Sequence, residues 1–215
     1  MQLIGLLDSP YVRRVAISLQ LLGLPFQHRA LSVFRNFEEF HHINPVVKAP
    51  TLVCDDGTVL LDSTLILDYA ECLAAPRASL MPASTAERAR SLRLIGLALA
   101  ACEKSVQIIY ERELRPAEKL HQPWIARVTA QLMAALTALE TELRHGNLTI
   151  DAIDQAGVTA AVTWHFAQTM LPELISVSQF PLLRQFSAQA ERLPEFAAAP
   201  HGSSICSASV QGHLR

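Results

Sequence analysis

Between Leu6 and Arg14 the chain changes its hydrophobic period, and this change constrains the fold more than any other feature. A short apolar run, Leu3 to Leu7, stops at Ser9. Beyond it Val12, Val15, Ala16, Leu19 and Leu22 recur on one helical face. Pro10 suits the first helical position, where its missing N–H costs nothing. The pattern predicts a strand that hands over to a helix at a serine. A helix N-terminus carries unpaired N–H groups and partial positive charge, so this corner favours an anion and suits a thiolate.

The next segments extend the alternation. Residues 2–7 read as a buried strand, 10–22 as a helix ended by Gly23-Leu24-Pro25, and 26–32 as a second strand. Residues 35–43 read as a short helix stopped by Asn44-Pro45. The strand-like runs 50–54 and 58–61 flank Asp55-Asp56-Gly57, a strong hairpin signal. From Asp62-Ser63, with Ser63 as N-cap, a helix runs to about Leu73. The order is therefore β-α-β-α-β-β-α.

Residues 75–84 carry two prolines and no period, and read as an interdomain linker. Beyond the linker the chain is helical: 85–115, 123–145, a third helix from Asp154 through Trp164, and a fourth over 180–192. This predicts a domain over 1–76 and an all-helical domain over 85–200. The small polar residues from His201 to Arg215 predict a disordered or loosely docked tail.

Half of the residues are apolar and the formal net charge is −2, so a sizeable core is expected and neither nucleic acid nor a membrane surface is an expected partner. No apolar run approaches the roughly 20 residues that span a bilayer. No secretory signal is read at the N-terminus. Cys54, Cys72, Cys102 and Cys206 are widely spaced without a C-x-x-C pair, which argues against a zinc or dithiol site and for a reducing, cytoplasmic setting. The adjacent His41 and His42 point different ways from a helix and predict no metal site.

Four motifs, in order and at matching intervals, carry a family resemblance. Ser9-Pro10-Tyr11-Val12-Arg13 is similar to the first-turn motif of serine-type bacterial glutathione transferases. Asn44-Pro45-Val46-Val47-Lys48-Ala49-Pro50 resembles the Asn-Pro-x-Gly-Lys-Val-Pro loop of the cytosolic glutathione transferase superfamily. Asp62-Ser63 resembles its acidic-Ser pair, and Leu193-Pro194-Glu195-Phe196 a common C-terminal signature. The resemblance covers residues 1 to about 200. It implies a thioredoxin-like glutathione-binding domain (βαβαββα), a C-terminal α-helical bundle domain, and a homodimer.

The resemblance also implies roles. Ser9, read locally as a helix cap, would donate a hydrogen bond to the glutathione sulfur and so raise the thiolate fraction. A cis peptide before Pro50 would turn the Ala49 backbone toward the cysteinyl backbone of glutathione, like an added strand. Ser63 and the first N–H groups of its helix would hold the γ-glutamyl carboxylate, and Asp62 the ammonium. Lys48 would pair with the glycyl carboxylate, with Arg35 as a further charge at that end. Arg13 would support the serine loop or face an acidic group. Tyr11, Tyr110 and Trp164 are candidates for a second-substrate pocket, although an aromatic at helical spacing is more often core. The implied reaction joins the glutathione thiolate to a small hydrophobic electrophile, with glutathione as substrate and no metal. Peroxide reduction or a reductase or lyase reaction on the same fold, and a non-catalytic regulatory protein, are the alternatives.

Two departures stand out. Val47 occupies the loop position usually held by Gly, which serves positive φ. In the helical domain Asp154 can cap, but Gly157 stands where the capping box expects an acidic residue. The lost partner and the first-turn Gly would each cost roughly 0.5–1 kcal/mol, so Gly157→Asp is expected to stabilise the fold.

Overall fold

The structure is a computed structural model that describes residues 1–207. It forms two compact units, Met1–Leu80 together with the chain from Arg192, and Met81–Glu191.

The first unit is a thioredoxin-like domain. Its elements are β1 (Gln2–Ile4), α1 (Pro10–Leu21), β2 (Gln27–Arg29), α2 (Phe37–Ile43), β3 (Thr51–Val53), β4 (Val59–Leu61) and α3 (Ser63–Ala74). The sheet order is β2-β1-β3-β4. β1 and β2 are parallel, which requires the crossover that α1 supplies, while β1–β3 and β3–β4 are antiparallel. Leu3, Ile4 and Leu52 are fully buried, as are Val12, Val15, Ala16 and Leu19 on the predicted face of α1. Beyond α1 the Leu24 N–H bonds back to the Leu19 carbonyl over 2.9 Å, which closes the helix at Gly23. The Asp-Gly turn forms as its residues require, with the Cys54 N–H on the Thr58 carbonyl at 2.8 Å.

The C-terminal segment belongs to this unit and not to the helical one. A short helix α8 (Pro194–Ala197) comes after the second unit in the chain. The Arg13 Nε donates to the Ala199 carbonyl at 2.7 Å, and its guanidinium lies 5.8 Å from the centre of the Phe196 ring. The Cys206 N–H donates to His28 Nδ1 at 3.0 Å. Phe196, Ala199 and Cys206 are fully buried. Of the tail expected from His201 to be disordered or loosely docked, the part through Ser207 is anchored at the buried Cys206, and the remainder lies outside the described residues. Small residues such as Ala199 and Cys206 show no period, so their burial was invisible in the pattern.

The second unit is an all-helical bundle of α4 (Thr85–Glu113), α5 (Gln122–Arg144), α6 (Gln155–Met170) and α7 (Pro181–Ala190). Ser84 caps α4, with its Oγ 3.3 Å from the Glu87 N–H and 2.5 Å from the Glu87 carboxylate. α6 is buried around its whole circumference from Gln155 to Trp164, which makes it the central helix. α7 begins without a cap of its own. The buried Glu140 of α5 supplies one, accepting the Leu182 and Leu183 N–H groups at 2.9 and 2.8 Å.

Asp154 caps α6 alone, accepting the Gly157 N–H at 2.8 Å. The expected gain from Gly157→Asp is reversed by packing. A Cβ at Gly157 would stand 2.8 Å from Ile153 Cγ1 and 3.4 Å from Phe186 Cζ. Neither capping propensity nor helix propensity outweighs such overpacking.

Candidate functional site

Sheet register builds the site. Ile4 pairs with Thr51, and Thr51 pairs with Leu61. The end of β1, the start of β3 and the end of β4 therefore open on one edge of the sheet. The three segments adjoining that row are Gly5–Ser9, Lys48–Pro50 and Asp62–Ser63, the same segments that carry the sequence motifs.

Gly5 lets them close up. Its φ is +138°, and an added Cβ would stand 2.6 Å from Val12 Cγ2 and 3.1 Å from Ala49 Cβ. The strand end, the first turn of α1 and the Ala49 loop thus meet where no side chain fits. His28 holds the Gly5 carbonyl from beneath through Nε2 at 2.8 Å. Because its Nδ1 accepts the Cys206 N–H, the ring is the neutral Nε2–H tautomer. Burial lowers the pKa of His28, with the Gly5 bond opposing.

Ser9 is half-buried at the N-cap of α1, and its Oγ accepts the Val12 N–H at 3.4 Å. This long capping bond uses the oxygen only as an acceptor, which leaves the hydroxyl proton for another partner. The N-terminus of α1 adds partial positive charge at that hydroxyl.

The Ala49–Pro50 peptide is cis. The loop before it is held by a buried polar clamp. The Asn44 Nδ2 donates to Thr51 Oγ1 at 2.8 Å, and the Thr51 hydroxyl donates to the Lys48 carbonyl at 2.7 Å. The Asn44 Oδ1 accepts the Val46 N–H at 3.0 Å. Val47 has φ +50°, so this position does adopt the conformation that glycine favours, with a β-branched residue in it. Pro50 is buried, Ala49 half-buried and Lys48 exposed.

Asp62, not Ser63, is the cap of α3. Its Oδ1 accepts the Thr64 N–H at 2.8 Å, at a φ of +72°. Ser63 is the first helical residue and is 3% exposed. Its Oγ accepts from Arg14 Nη1 at 3.1 Å, and the same nitrogen donates to Thr64 Oγ1 at 3.3 Å.

The remaining candidates fall outside the three segments that adjoin this row. Arg13 serves Ala199 and Phe196. Arg35 is exposed after β2. Tyr11 is half-buried on α1. Tyr110 is 44% exposed on α4, whereas Trp164 is buried in the helical bundle, edge-on to Phe180 at 5.7 Å. Sequence reasoning missed Arg14, Thr51 and His28. Only Arg14 left a signal, an arginine pair inside an otherwise apolar stretch of α1. Among the described residues no group of three or more His, Cys, Asp or Glu is arranged to hold a metal ion, and no helix is long and apolar enough to cross a membrane.

A thioredoxin-like domain with a cis-proline loop on its sheet edge, followed by an all-helical domain, is the class that fold and site define. Residues 3–78 match the glutathione S-transferase N-terminal domain family. The chain is 27% identical over 162 residues to the uncharacterized GST-like protein YibF of Escherichia coli (strain K12), covering 75% of this chain and 79% of that one. It is 28% identical over 193 residues to a zeta-class glutathione S-transferase of Euphorbia esula, covering 86% and 83%. A glutathione transferase family member from Pseudomonas fluorescens Pf-5, solved with bound glutathione, superposes with a TM-score of 0.80 at 28% identity, covering 92% of this chain and 97% of that one. The domain over residues 3–78 thus belongs to the glutathione S-transferase N-terminal domain family, and the chain over most of its length is similar to glutathione transferases.

Proposed function

We propose that this protein is a glutathione transferase in which Ser9 donates a hydrogen bond to the sulfur of glutathione. The observation that carries the reading is the Ile4–Thr51–Leu61 row, from which the Ser9 turn, the Ala49–Pro50 loop and the Asp62–Ser63 helix start all depart. The Ala49 backbone pairs with the cysteinyl backbone of the bound tripeptide. The α3 N-terminus with Ser63 takes the γ-glutamyl carboxylate, Asp62 takes the ammonium, and Lys48 takes the glycyl carboxylate.

Two effects at Ser9 favour a thiolate over a thiol: a hydroxyl donor, and the partial charge of the α1 N-terminus. Lowering the thiol pKa raises the nucleophile fraction at neutral pH. The thiolate then forms a carbon–sulfur bond with a small hydrophobic electrophile. Tyr11, half-buried in the first turn after Ser9, is the proposed aromatic contact of that electrophile. The protein acts in the cytoplasm as a homodimer.

The test is glutathione binding by calorimetry, with the bound thiol pKa followed by ultraviolet absorbance, in wild type and Ser9→Ala. The expected outcome is retained binding with a higher thiol pKa in Ser9→Ala. An equal thiol pKa in both proteins removes Ser9 as activator, and absence of binding in wild type removes the reading. A panel of electrophiles and peroxides then separates conjugation from peroxide reduction.

A further inference from the structure

Arg14 is the least expected residue beneath the proposed site. It lies on α1 but is only 2% exposed, so a permanent cation has been carried into the interior of the first unit. Burying a charge is costly unless it is well hydrogen-bonded, and the groups it meets on α3 are hydroxyls. A single nitrogen, Nη1, donates to Ser63 Oγ at 3.1 Å and to Thr64 Oγ1 at 3.3 Å. These are the first two residues of α3.

The direction of those bonds matters. A guanidinium can only donate, so Ser63 Oγ must act as an acceptor toward Arg14. The Ser63 proton is then turned away from Arg14 and remains a donor for a further acceptor. Asp62 Oδ1 is itself engaged by the Thr64 N–H at 2.8 Å. The same arrangement adds a buried positive charge behind a helix N-terminus, where partial positive charge is already present. A hydroxyl with its proton oriented outward and a cation behind it fits a carboxylate.

We propose that Arg14 is a positioning residue for the γ-glutamyl carboxylate of glutathione, acting through Ser63 and Thr64; this rests on the glutathione-transferase reading of the site. Arg14 does not touch the ligand. It sets the Ser63 hydroxyl as a donor and raises the affinity of the α3 N-terminus for an anion. Arg13, one residue earlier, is directed to Ala199 and Phe196 instead.

Two ligands and the full chain make the test. One ligand is glutathione. The other is its analogue lacking the γ-glutamyl α-carboxylate, 4-aminobutyryl-cysteinyl-glycine. Binding of each is measured by calorimetry for wild type and Arg14→Met. The expected result is a loss of about tenfold or more in glutathione affinity in Arg14→Met, with the weaker analogue affinity unchanged between the two proteins. In turnover the KM for glutathione rises while kcat at saturation is retained. A residue needed only for folding would weaken both ligands equally, and that result, or an unchanged glutathione affinity, overturns the proposal. Should Arg14→Met fail to fold, Arg14→Lys keeps the charge and stem and carries the same two-ligand comparison, with a smaller selective loss expected. Wild-type protein that binds neither ligand overturns the glutathione reading itself, and this proposal with it.

Discussion

The Asn44 amide donates to the Thr51 hydroxyl over 2.8 Å, and both side chains are buried. Thr51 sits in the row that aligns β1, β3 and β4, and its hydroxyl passes the bond on to the Lys48 carbonyl. Two residues of ordinary type thus tie the cis-proline loop to the sheet edge. Thr51→Val keeps the volume but orphans the Asn44 amide and the Lys48 carbonyl. The expected loss is about 1–3 kcal/mol of stability, read by urea unfolding, together with weaker glutathione binding. A variant as stable as wild type would show that water replaces the clamp.

Val47 stands at φ +50°, where a β-branched residue is strained. Left-handed backbone costs L-residues about 1–2 kcal/mol, and glycine's extra unfolded-state freedom offsets part of the relief. Val47→Gly is expected to stabilise by about 0.5–1 kcal/mol, a rise of roughly 1–4 °C in Tm for a chain of this size. An unchanged or lower Tm would mean that the half-buried Val47 side chain contributes more than the strain.

Gly157→Asp is expected to destabilise by at least about 2 kcal/mol, through overpacking and a carboxylate set beside Asp154. The crowding is defined by Ile153 Cγ1 at 2.8 Å from the added Cβ. Thermal unfolding of Gly157→Asp beside Ile153→Ala/Gly157→Asp checks the cause, since the second change should relieve part of the loss.

His28 makes stability depend on pH. Burial lowers its folded pKa below the usual histidine value of 6.5, so the unfolded chain binds the extra proton first. The His28 contribution is fully present above about pH 6.5 and is lost progressively as pH falls through the folded pKa. Protonation also removes the Nδ1 acceptor of the Cys206 N–H. Unfolding free energies from about pH 8 to about pH 5 should fall for wild type and fall less for His28→Gln. Equal slopes would exclude His28 as the source.

The local elements were legible because each rests on a short-range rule. Ser9-Pro10 marks a helix start, Asp56-Gly57 a hairpin, and the alternating apolar runs the strands and helices between. The motif residues Ser9, Pro50, Asp62 and Ser63 were legible for the same reason, as contiguous patterns. Which of Asp62 and Ser63 caps α3 was not, because both types cap well and only the backbone turn at Asp62 decides.

The sequence by itself determined the order of elements, and its family resemblance implied the cis-proline loop and the residues proposed to surround glutathione. The tertiary structure decided what those residues do for one another. Arg14 reaches Ser63 across 49 positions of chain, and His28 reaches Cys206 across 178. It also decided that Gly157 is a packing requirement and that residues up to Ser207 join the first unit. Propensity and periodicity describe neighbours within a few residues, whereas burial, sterics and donor direction depend on which distant segments the sheet and helices bring together.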